Sequence, residues 1–308
     1  MDTKAILVLG GAYFTGRIFT IMATGAGHAV TLLNRGKYSM EHYGTKQELH
    51  FDRHDISAIE RMEPAIYDAV VDFCGYEPGD VRTFIEHFPG RIGQYIFLST
   101  ADVYDRSIRT AKDENAPLME STYSCPGGPY MMKKAQLDNE VRLVCAAHGI
   151  PYTILRPAFI YGPYNYAPRE SYYIRKILRG EPIPVPVDSD SEFQFVYVKD
   201  VGTAILRSLE REAAYNEAFN LCAPEVITYP AYMEMLRQVS DRPFDTYSVR
   251  VDTVIAQNIP LPFPLRASEN ELFLGEKASR LLGIKYTDFK NGMELAYRGF
   301  SALYTSEP

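Results

Sequence analysis

Two side chains four residues apart, Tyr130 and Lys134, have the types and spacing needed for acid–base chemistry. On a helix this spacing places both on one face, one turn apart. A phenol with its ordinary pKa of about 10 is a weak base at neutral pH. A nearby ammonium would stabilise the phenolate, so the pair could move a hydroxyl proton while hydride leaves the carbon. The same spacing also arises by chance on amphipathic helices, as a surface lysine beside a half-buried tyrosine.

Hydroxyl groups follow an apolar run at residues 94–98. Ser99 and Thr100 would lie at the carboxyl end of a strand, where open α/β sheets bind their ligands. Thr100 could hydrogen-bond a substrate hydroxyl and Tyr130 together. In the alternative interpretation, this hydroxyl only satisfies a carbonyl at the end of the strand.

A glycine-rich turn near the N-terminus indicates a dinucleotide site. The apolar run at residues 5–9 ends at a turn, then a helical pattern and a second apolar run at 29–33 follow, which together make a βαβ unit. Such a turn brings backbone close to a pyrophosphate at a helix N-terminus. Tyr13 occupies the middle position of a G-x-x-G-x-x-G pattern, so the loop must bow outward or the ring must turn away. The alternative is a βαβ turn without a nucleotide. The residues predicted to bind are Gly10, Gly11, Tyr13, Phe14, Thr15 and Gly16.

Apolar strands and helical patterns alternate as far as about residue 160, which predicts a parallel sheet covered on both faces. Strands are predicted at 48–51, 69–73, 94–98 and 152–155, and helices at 56–62, 78–88 and 130–147. The predicted fold is α/β, a doubly wound Rossmann sheet with a smaller C-terminal α+β substrate lobe. The dinucleotide-binding domain spans 1–165 with contributions from about 193–224, and the lobe spans 166–308, mainly 166–192 and 225–308.

Composition narrows the partners and the compartment. The formal charge is −7 without a block of Lys or Arg, which disfavours nucleic acid as the main partner because that binding depends on neutralising phosphates. Four widely spaced cysteines and six unclustered histidines predict free thiols and no metal site. There is no run of 18 apolar residues and no apparent signal peptide, so we expect no membrane span and a cytoplasmic location.

Five stretches together resemble a known family, namely 10–16, 99–104, 130–134, 155–163 and 193–201. They resemble the extended short-chain dehydrogenase/reductase superfamily, in its NAD-dependent epimerase/dehydratase group. The start of the chain and the triplet Asn34-Arg35-Gly36 are most similar to an atypical subgroup. That subgroup contains nucleotide-sugar epimerase-like reductases and plastid stem-loop-binding proteins. It also lacks the middle glycine of the turn.

The resemblance implies roles for individual residues. Thr100 matches the catalytic Ser/Thr, Tyr130 the general acid/base, and Lys134 the lysine that binds the nicotinamide ribose and lowers the tyrosine pKa. The resemblance also implies further cofactor contacts. Asp52 and Arg53 would lie near adenine, and Phe73, Cys74 and Gly75 near the adenosine ribose and pyrophosphate. Pro157 and Ile160 would lie at the nicotinamide carboxamide. Ordinary core packing would equally explain Phe73 and Ile160.

The cofactor is NAD or NADP. Sites for NAD usually end the second strand with an acidic residue that binds the ribose 2′-hydroxyl, but Asn34 stands there and Arg35 follows. Asn34 can bind a ribose hydroxyl, and Arg35 can pair with a phosphate or stack on adenine. Arg35 could equally be a solvated loop charge.

A departure from the family narrows the reaction. Its dehydratases place an Asp and a Glu directly after the catalytic Thr, whereas this chain has Ala101 and Asp102. Dehydration is therefore disfavoured, and epimerisation and carbonyl reduction both stay open. Asp102 is predicted to contact substrate, or else only caps the strand end.

The substrate lobe contains aromatic and basic residues that suit a nucleotide base and a diphosphate. The candidates are Arg169, Tyr172, Tyr173 and Arg266, the last placed by the resemblance. The alternative is that the tyrosines pack the lobe and the basic groups are solvated. We therefore predict an epimerase or reductase for a nucleotide-linked sugar, with a nucleic-acid-binding or regulatory protein as the alternative. The resemblance also implies a homodimer, through apolar stripes on the helices at 78–88 and 130–147. The alternative is that both stripes only cover the sheet of their own subunit.

Overall fold

The computed structural model describes residues 2–125 and 127–305. The strands are β1 (Ala5–Leu9), β2 (Ala29–Asn34), β3 (Gln47–His50), β4 (Ile66–Tyr67), β5 (Ala69–Asp72), β6 (Arg91–Ile92), β7 (Tyr95–Leu98), β8 (Tyr152–Pro157), β9 (Phe159–Tyr161), β10 (Ile183–Pro186), β11 (Phe193–Tyr197), β12 (Glu217–Leu221), β13 (Val226–Ile227) and β14 (Thr246–Val249). The α-helices are α1 (Phe14–Gly25), α2 (Ile56–Glu60), α3 (Asp80–His87), α4 (Gly128–His148), α5 (Glu170–Arg179), α6 (Val198–Ser208), α7 (Tyr229–Val239), α8 (Val251–Ala256), α9 (Glu276–Leu282) and α10 (Phe289–Thr305).

Seven parallel strands form the central sheet in the order β12-β8-β7-β5-β1-β2-β3. This arrangement confirms the predicted Rossmann-like α/β fold. The strand order reverses between β1 and β5. These two strands are parallel neighbours, and their last residues, Leu9 and Asp72, lie opposite each other. In open α/β sheets, ligands bind beyond the carboxyl ends of strands at this reversal.

Both faces of the sheet are covered, which explains the nearly continuous apolar composition of its strands. Successive residues of a strand point to opposite faces. Ile6 and Val8 of β1 therefore belong to the core layer that includes Phe19 of α1. Leu7 and Leu9 belong to the layer under α3 and α4.

The apolar stripes predicted to form a dimer interface are used within the subunit. Both stripes are buried in the core layer between these helices and the sheet. The stripe of α4 consists of Leu137, Val141, Val144 and Cys145, and that of α3 and the residue after it consists of Val81, Phe84, Ile85 and Phe88. The outward face of α4 presents Gln136, Asn139 and Leu143. The stripes thus give no support for the homodimer, which stays a prediction.

The later part of the chain divides between the sheet and a second core. Helix α6 packs on α1, and β12 extends the central sheet beside β8. Helices α5, α7 and α10 pack around a cluster of aromatic rings that includes Phe195, Tyr232 and Phe289. Across residues 2–125 and 127–305, none of the helices is both long and apolar enough to cross a membrane.

Candidate active site

A cleft of about 930 Å³ opens beyond the carboxyl ends of β1 and β5, at the reversal of strand order. One part of it, here called the cofactor end, is lined by Gly10, Tyr13, Phe14, Thr15, Gly16, Asn34, Arg35 and Asp52. Another part, the substrate end, is lined by Asp102, Arg106, Arg169, Gln194 and Glu271. Thr100, Tyr130 and Lys134 line the same cleft. The three residues predicted to carry the chemistry are therefore brought into one cavity with the glycine turn.

The glycine turn fits a pyrophosphate. Gly10 has φ +81°, a left-handed conformation that favours glycine. A Cβ on Gly16 would lie 2.7 Å from the carbonyl oxygen of Gly10, so a side chain there would fill the turn. Helix α1 begins at Phe14 with no side chain capping it and no acidic residue in its first turn. Its first amides and its dipole are thus available to an anion.

Gly11 is the member of the turn that does not line the cleft. A Cβ there would approach side-chain atoms of Val8, Thr20 and Leu32 to within 2.7 Å. The hydroxyl of Thr20 also donates to the Gly11 carbonyl oxygen at 2.9 Å. Gly11 therefore packs the turn closely against α1 and β2, and its predicted contact with the cofactor is not supported.

Tyr13 turns its ring away from the turn. The ring lies between those of Tyr38, with centroids 5.6 Å apart, and Tyr166, with centroids 5.1 Å apart. This tyrosine stack (Tyr38, Tyr13, Tyr166) joins the loops after β2 and β9 to the glycine turn. The absence of the middle glycine is therefore compatible with an open phosphate site, because the ring packs outward.

Arg53 lines the cleft, but its guanidinium is paired within the protein, so the cofactor role implied for it stays a prediction. Its Nη1 donates to both carboxylate oxygens of Asp72 at 2.9 Å, and its Nη2 donates to the Asp80 carbonyl oxygen. Burial by itself would raise the pKa of Asp72, but Arg53 and a hydrogen bond from Tyr95 lower it below its usual value. Asp52, the preceding residue, is half-exposed and lines the cofactor end.

Most of the residues implied at the ribose and nicotinamide positions line the cleft, namely Phe73, Cys74, Pro157 and Ile160, and the predicted cofactor contact Ser99 lines it too. The Ser99 hydroxyl is buried and has no hydrogen-bond partner within the described ranges, so a bound hydroxyl or amide could satisfy it. Gly75 lies behind the wall, where a Cβ would meet the Phe97 ring at 2.8 Å. Its carbonyl oxygen instead accepts a hydrogen bond from Lys134.

Lys134 is buried under the cleft. Its Nζ donates to the carbonyl oxygens of Gly75, at 3.0 Å, and Leu98, at 2.8 Å, and lies 4.1 Å from the centroid of the Phe97 ring. Burial lowers the pKa of Lys134 to about 8. The two carbonyls hold the ammonium at the end of β7, one helical turn from Tyr130.

The Tyr130 side chain is 44% exposed, and this exposure is to the cleft that it lines. Enclosure by the cleft walls raises the pKa of the phenol above its ordinary value, and the neighbouring Tyr76 and Asp102 raise it further. The net shift is therefore opposite to the lowered pKa that the resemblance implied, because burial disfavours a phenolate and outweighs any effect of the Lys134 ammonium.

Thr100 serves the end of β7 as well as the cleft. Its hydroxyl accepts a hydrogen bond from the Asp102 amide at 3.2 Å and donates to the Asp102 carboxylate at 3.3 Å. In the part of the chain that the structure describes, no hydrogen bond joins it to Tyr130. Thr100 thus fixes the turn that carries Asp102, and its catalytic contact stays a prediction.

The substrate lobe contributes differently from what the sequence predicted. Arg169 lines the cleft, with its guanidinium donating to the Ile160 carbonyl oxygen and lying 4.7 Å from the Phe159 ring centroid. Tyr173 is fully buried in the aromatic core, and Tyr172 packs edge-on against it. Arg266 is exposed and pairs with Asp252. None of these last three lines the cleft, so their predicted substrate contacts are not supported.

Several residues at the cleft were missed. The missed residues include Tyr76, Arg106, Gln194, Glu271 and Phe273. Arg106 is held by Glu271, which also accepts a hydrogen bond from the buried Lys112 at 2.6 Å. Tyr76 follows the predicted segment 73–75, and Arg106 follows the turn after β7. Both could have been predicted from the rule that ligands bind at the carboxyl ends of strands. Glu271 and Phe273 carry no signal of this kind.

The chain belongs to the NAD dependent epimerase/dehydratase family, whose model matches residues 6–222. Its cofactor class is accordingly a nicotinamide dinucleotide, as predicted, with NAD and NADP not distinguished. The family also confirms the resemblance drawn from the five sequence stretches.

Two curated relatives share this sequence similarity. The chloroplast stem-loop binding protein of 41 kDa b of Arabidopsis thaliana is 32% identical over 240 residues, which are 73% of this chain and 60% of that protein. The chain thus spans less than two thirds of this relative. A dTDP-glucose 4,6-dehydratase of Streptomyces niveus is 26% identical over 289 residues, 80% of this chain and 84% of that enzyme.

Solved structures share the fold. UDP-glucose 4-epimerase of Thermotoga maritima has a TM-score of 0.76 at 20% identity, covering 97% of this chain and 99% of that one. UDP-glucuronic acid 4-epimerase of Bacillus cereus has a TM-score of 0.75 at 18% identity, covering 97% and 100%. At these identities the likeness establishes the architecture alone.

Proposed function

We propose that this protein is an NAD(P)-dependent epimerase or reductase that acts on a sugar linked to a nucleotide. The observation that carries the proposal is the placement of Tyr130, Lys134 and Thr100 in one cleft with the glycine turn. The structural similarity to nucleotide-sugar epimerases supports the substrate class.

In this proposal Tyr130 is the general acid/base, and its Oη exchanges a proton with a substrate hydroxyl or carbonyl oxygen. The bound nicotinamide supplies the hydride acceptor or donor, and its positive charge when oxidised favours the phenolate. Lys134 keeps an ammonium one turn away, anchored by the carbonyls of Gly75 and Leu98. Thr100 orients the substrate oxygen toward Tyr130, and Ser99 offers its unpaired hydroxyl to the cofactor.

Dehydration is disfavoured in the proposal. Elimination of water requires a separate acid and base beside the hydride-transfer site, and the turn after Thr100 offers one carboxylate, Asp102. Glu271, a carboxylate at the substrate end, is already paired with Lys112 and Arg106. Burial nevertheless raises its pKa above the ordinary value, so the case against dehydration rests on the turn after Thr100.

The test is turnover of a panel of UDP- and dTDP-sugars with added NAD or NADP, with products separated by chromatography. Tyr130→Phe should lower turnover by about a hundred- to ten-thousandfold, as is typical for loss of a general acid/base. Affinity for the dinucleotide should be unchanged. Tyr247→Phe, which removes an exposed phenol hydroxyl on β14, is the matched control and should keep full activity.

A specific observation favours a second candidate, namely nucleic-acid binding: the 32% identity to the Arabidopsis stem-loop binding protein. The formal charge of −7 disfavours it. Wild-type activity in Tyr130→Phe would overturn the role given to Tyr130. No turnover of any sugar together with salt-sensitive binding of a stem-loop RNA would replace the first proposal with this one. A cytoplasmic location is part of the first proposal and is testable by cell fractionation.

A further inference from the structure

The loop after β2 carries an arrangement of donors and cations that bears on which dinucleotide is bound. Asn34 is the last residue of β2 and lines the cofactor end of the cleft. Its side-chain oxygen accepts hydrogen bonds from the Gly36 amide at 2.5 Å and from His50 Nδ1 at 3.2 Å. A backbone amide can only donate, so the Gly36 contact fixes which way the Asn34 amide group points.

The group of Asn34 that is still available to a ligand is therefore the side-chain NH2, which is a hydrogen-bond donor. Its Nδ2 is buried and has no hydrogen-bond partner among residues 2–125 and 127–305. A site for an unmodified ribose usually presents a carboxylate here, which accepts hydrogen bonds from the ribose hydroxyls. Asn34 has already used its acceptor within the loop, and its remaining donor suits a group that only accepts.

Two cations follow Asn34 in the same loop. Arg35 and Lys37 are exposed and line the cleft, and neither has a carboxylate within 4.0 Å in the part of the chain that the structure describes. Lys37 instead lies 5.4 Å from the centroid of the Tyr38 ring. Both cations are thus free to pair with an anion brought by a ligand.

The nearest acidic group is already engaged. Asp52 lines the same end, and one of its carboxylate oxygens accepts hydrogen bonds from the amide and the Nδ1 of His54, at 3.0 and 2.8 Å. The Nε2 of that histidine is bonded to Asp80 at 2.8 Å. Asp52 is therefore bonded to His54. Arg35 is close enough to contribute to the lowered pKa of Asp52, but it forms no ion pair with it within 4.0 Å.

We propose that Asn34, Arg35 and Lys37 form a subsite for the 2′-phosphate of the adenosine ribose, so that the protein prefers NADP(H) to NAD(H). The phosphate would receive charge-assisted hydrogen bonds from Arg35 and Lys37 and one from the Asn34 amide. This inference rests on the proposed function only for the presence of a dinucleotide in the cleft. It goes further in naming the form of that dinucleotide.

The test isolates the subsite with fragments of the cofactor. Isothermal titration calorimetry of the full chain at low salt compares adenosine 2′,5′-bisphosphate with 5′-AMP, and NADPH with NADH. The 2′-phosphate should tighten binding about ten- to a hundredfold, as expected for hydrogen bonds to charged groups. Arg35→Gln should remove roughly tenfold of this gain and leave 5′-AMP binding unchanged.

Two further variants complete the design. Asn34→Asp keeps an acceptor for the Gly36 amide and adds a charge that repels a phosphate, so the order of NADPH and NADH should reverse. Arg91→Gln, which removes an exposed charge on β6 outside the cleft, is the matched control and should not change either ratio. Thermal melting curves of each variant establish that it is folded.

The outcomes separate this inference from the proposed function. Tight binding of NADH with no gain from the 2′-phosphate would overturn the subsite and leave the enzyme proposal standing. Equal losses for 5′-AMP and the bisphosphate in Arg35→Gln would also overturn it, because the residue would then act on adenine. Failure of all four ligands to bind the folded wild-type chain would overturn both.

Discussion

The two ends of the cleft are built in different ways. At the cofactor end, the wall segments lie at the ends of strands of the central sheet: the glycine turn follows β1, Asn34 ends β2, and Phe73 follows β5. At the substrate end, the walls come from separated parts of the chain, including Arg106, Arg169 and Glu271. For example, the ion pair between Glu271 and Arg106 joins segments that are more than 150 residues apart in the chain.

This difference predicts how amino-acid substitutions at each end of the cleft will affect the protein. A parallel sheet fixes the relative positions of its strand ends, so the cofactor end is held by the main hydrogen-bonded framework. The substrate end depends on side-chain ion pairs and on the loop 162–169, which can vary without disturbing the sheet. We therefore expect substitutions at the cofactor end to affect folding or cofactor affinity, and those at the substrate end to affect substrate affinity.

The largest effect is expected from Arg53→Met at the cofactor end. It would leave Asp72 buried without its ion-pair partner, a loss that costs about 3–5 kcal/mol of unfolding free energy. Urea denaturation measures this, with Arg35→Gln on the exposed loop as the control. Full stability together with lost dinucleotide affinity would show instead that Arg53 binds the cofactor directly.

At the substrate end, Arg169→Gln should raise the KM for a nucleotide sugar by about ten- to a hundredfold, as expected when a charged donor to an anion is lost. The kcat should change little. Tyr173→Phe, four residues later and inside α5, is the paired variant and should leave KM unchanged because that side chain is in the core. The comparison fails if Tyr173→Phe has the larger effect on KM.

The pH dependence of stability should include a contribution from Glu170, the first residue of α5, which is hydrogen-bonded to the loop 162–169. Glu170 is buried, accepts hydrogen bonds from the Gly162 amide and from Asn165, and its pKa is raised by burial from 4.5 to about 6. A raised carboxyl pKa adds stability that is fully present below pH 4.5 and is lost as pH rises through about 6. The difference corresponds to about 2 kcal/mol.

Unfolding free energies of the wild type and of Glu170→Gln, measured from pH 4 to 7, test this expectation. The slope that Glu170 contributes between pH 4.5 and 6 should vanish in the variant. Glu181→Gln, on an exposed side chain beyond α5, is the control and should retain the slope. Identical profiles for all three proteins would contradict the expectation.

The smallest effect is expected from Arg266→Gln. Its ion pair with Asp252 is exposed, and such pairs contribute about 0–1 kcal/mol. Since Arg266 does not line the cleft, the KM for a nucleotide sugar should stay within the error of the measurement. A tenfold rise in KM would place this residue at the substrate and weaken the contrast drawn between the two ends.

The fold and the cofactor end were predictable because their signals are local. An apolar run, a glycine turn and a helical pattern lie within about 30 residues, which is the span of a βαβ unit. The placement of Thr100 after β7, and of Tyr130 and Lys134 on α4, follows from strand-end and helical spacing. The sequence contains these relations because neighbours in the chain are also neighbours in space.

Only the tertiary structure decided the charge states and the makeup of the substrate end. Arg53 and Arg35 are both arginines after strand ends, yet one is buried against Asp72 and the other is exposed to the cleft. Likewise, the raised pKa of Tyr130 and the lowered pKa of Lys134 result from burial by walls that distant segments supply. Burial and long-range pairing depend on the packing of the whole chain, and no local pattern records them.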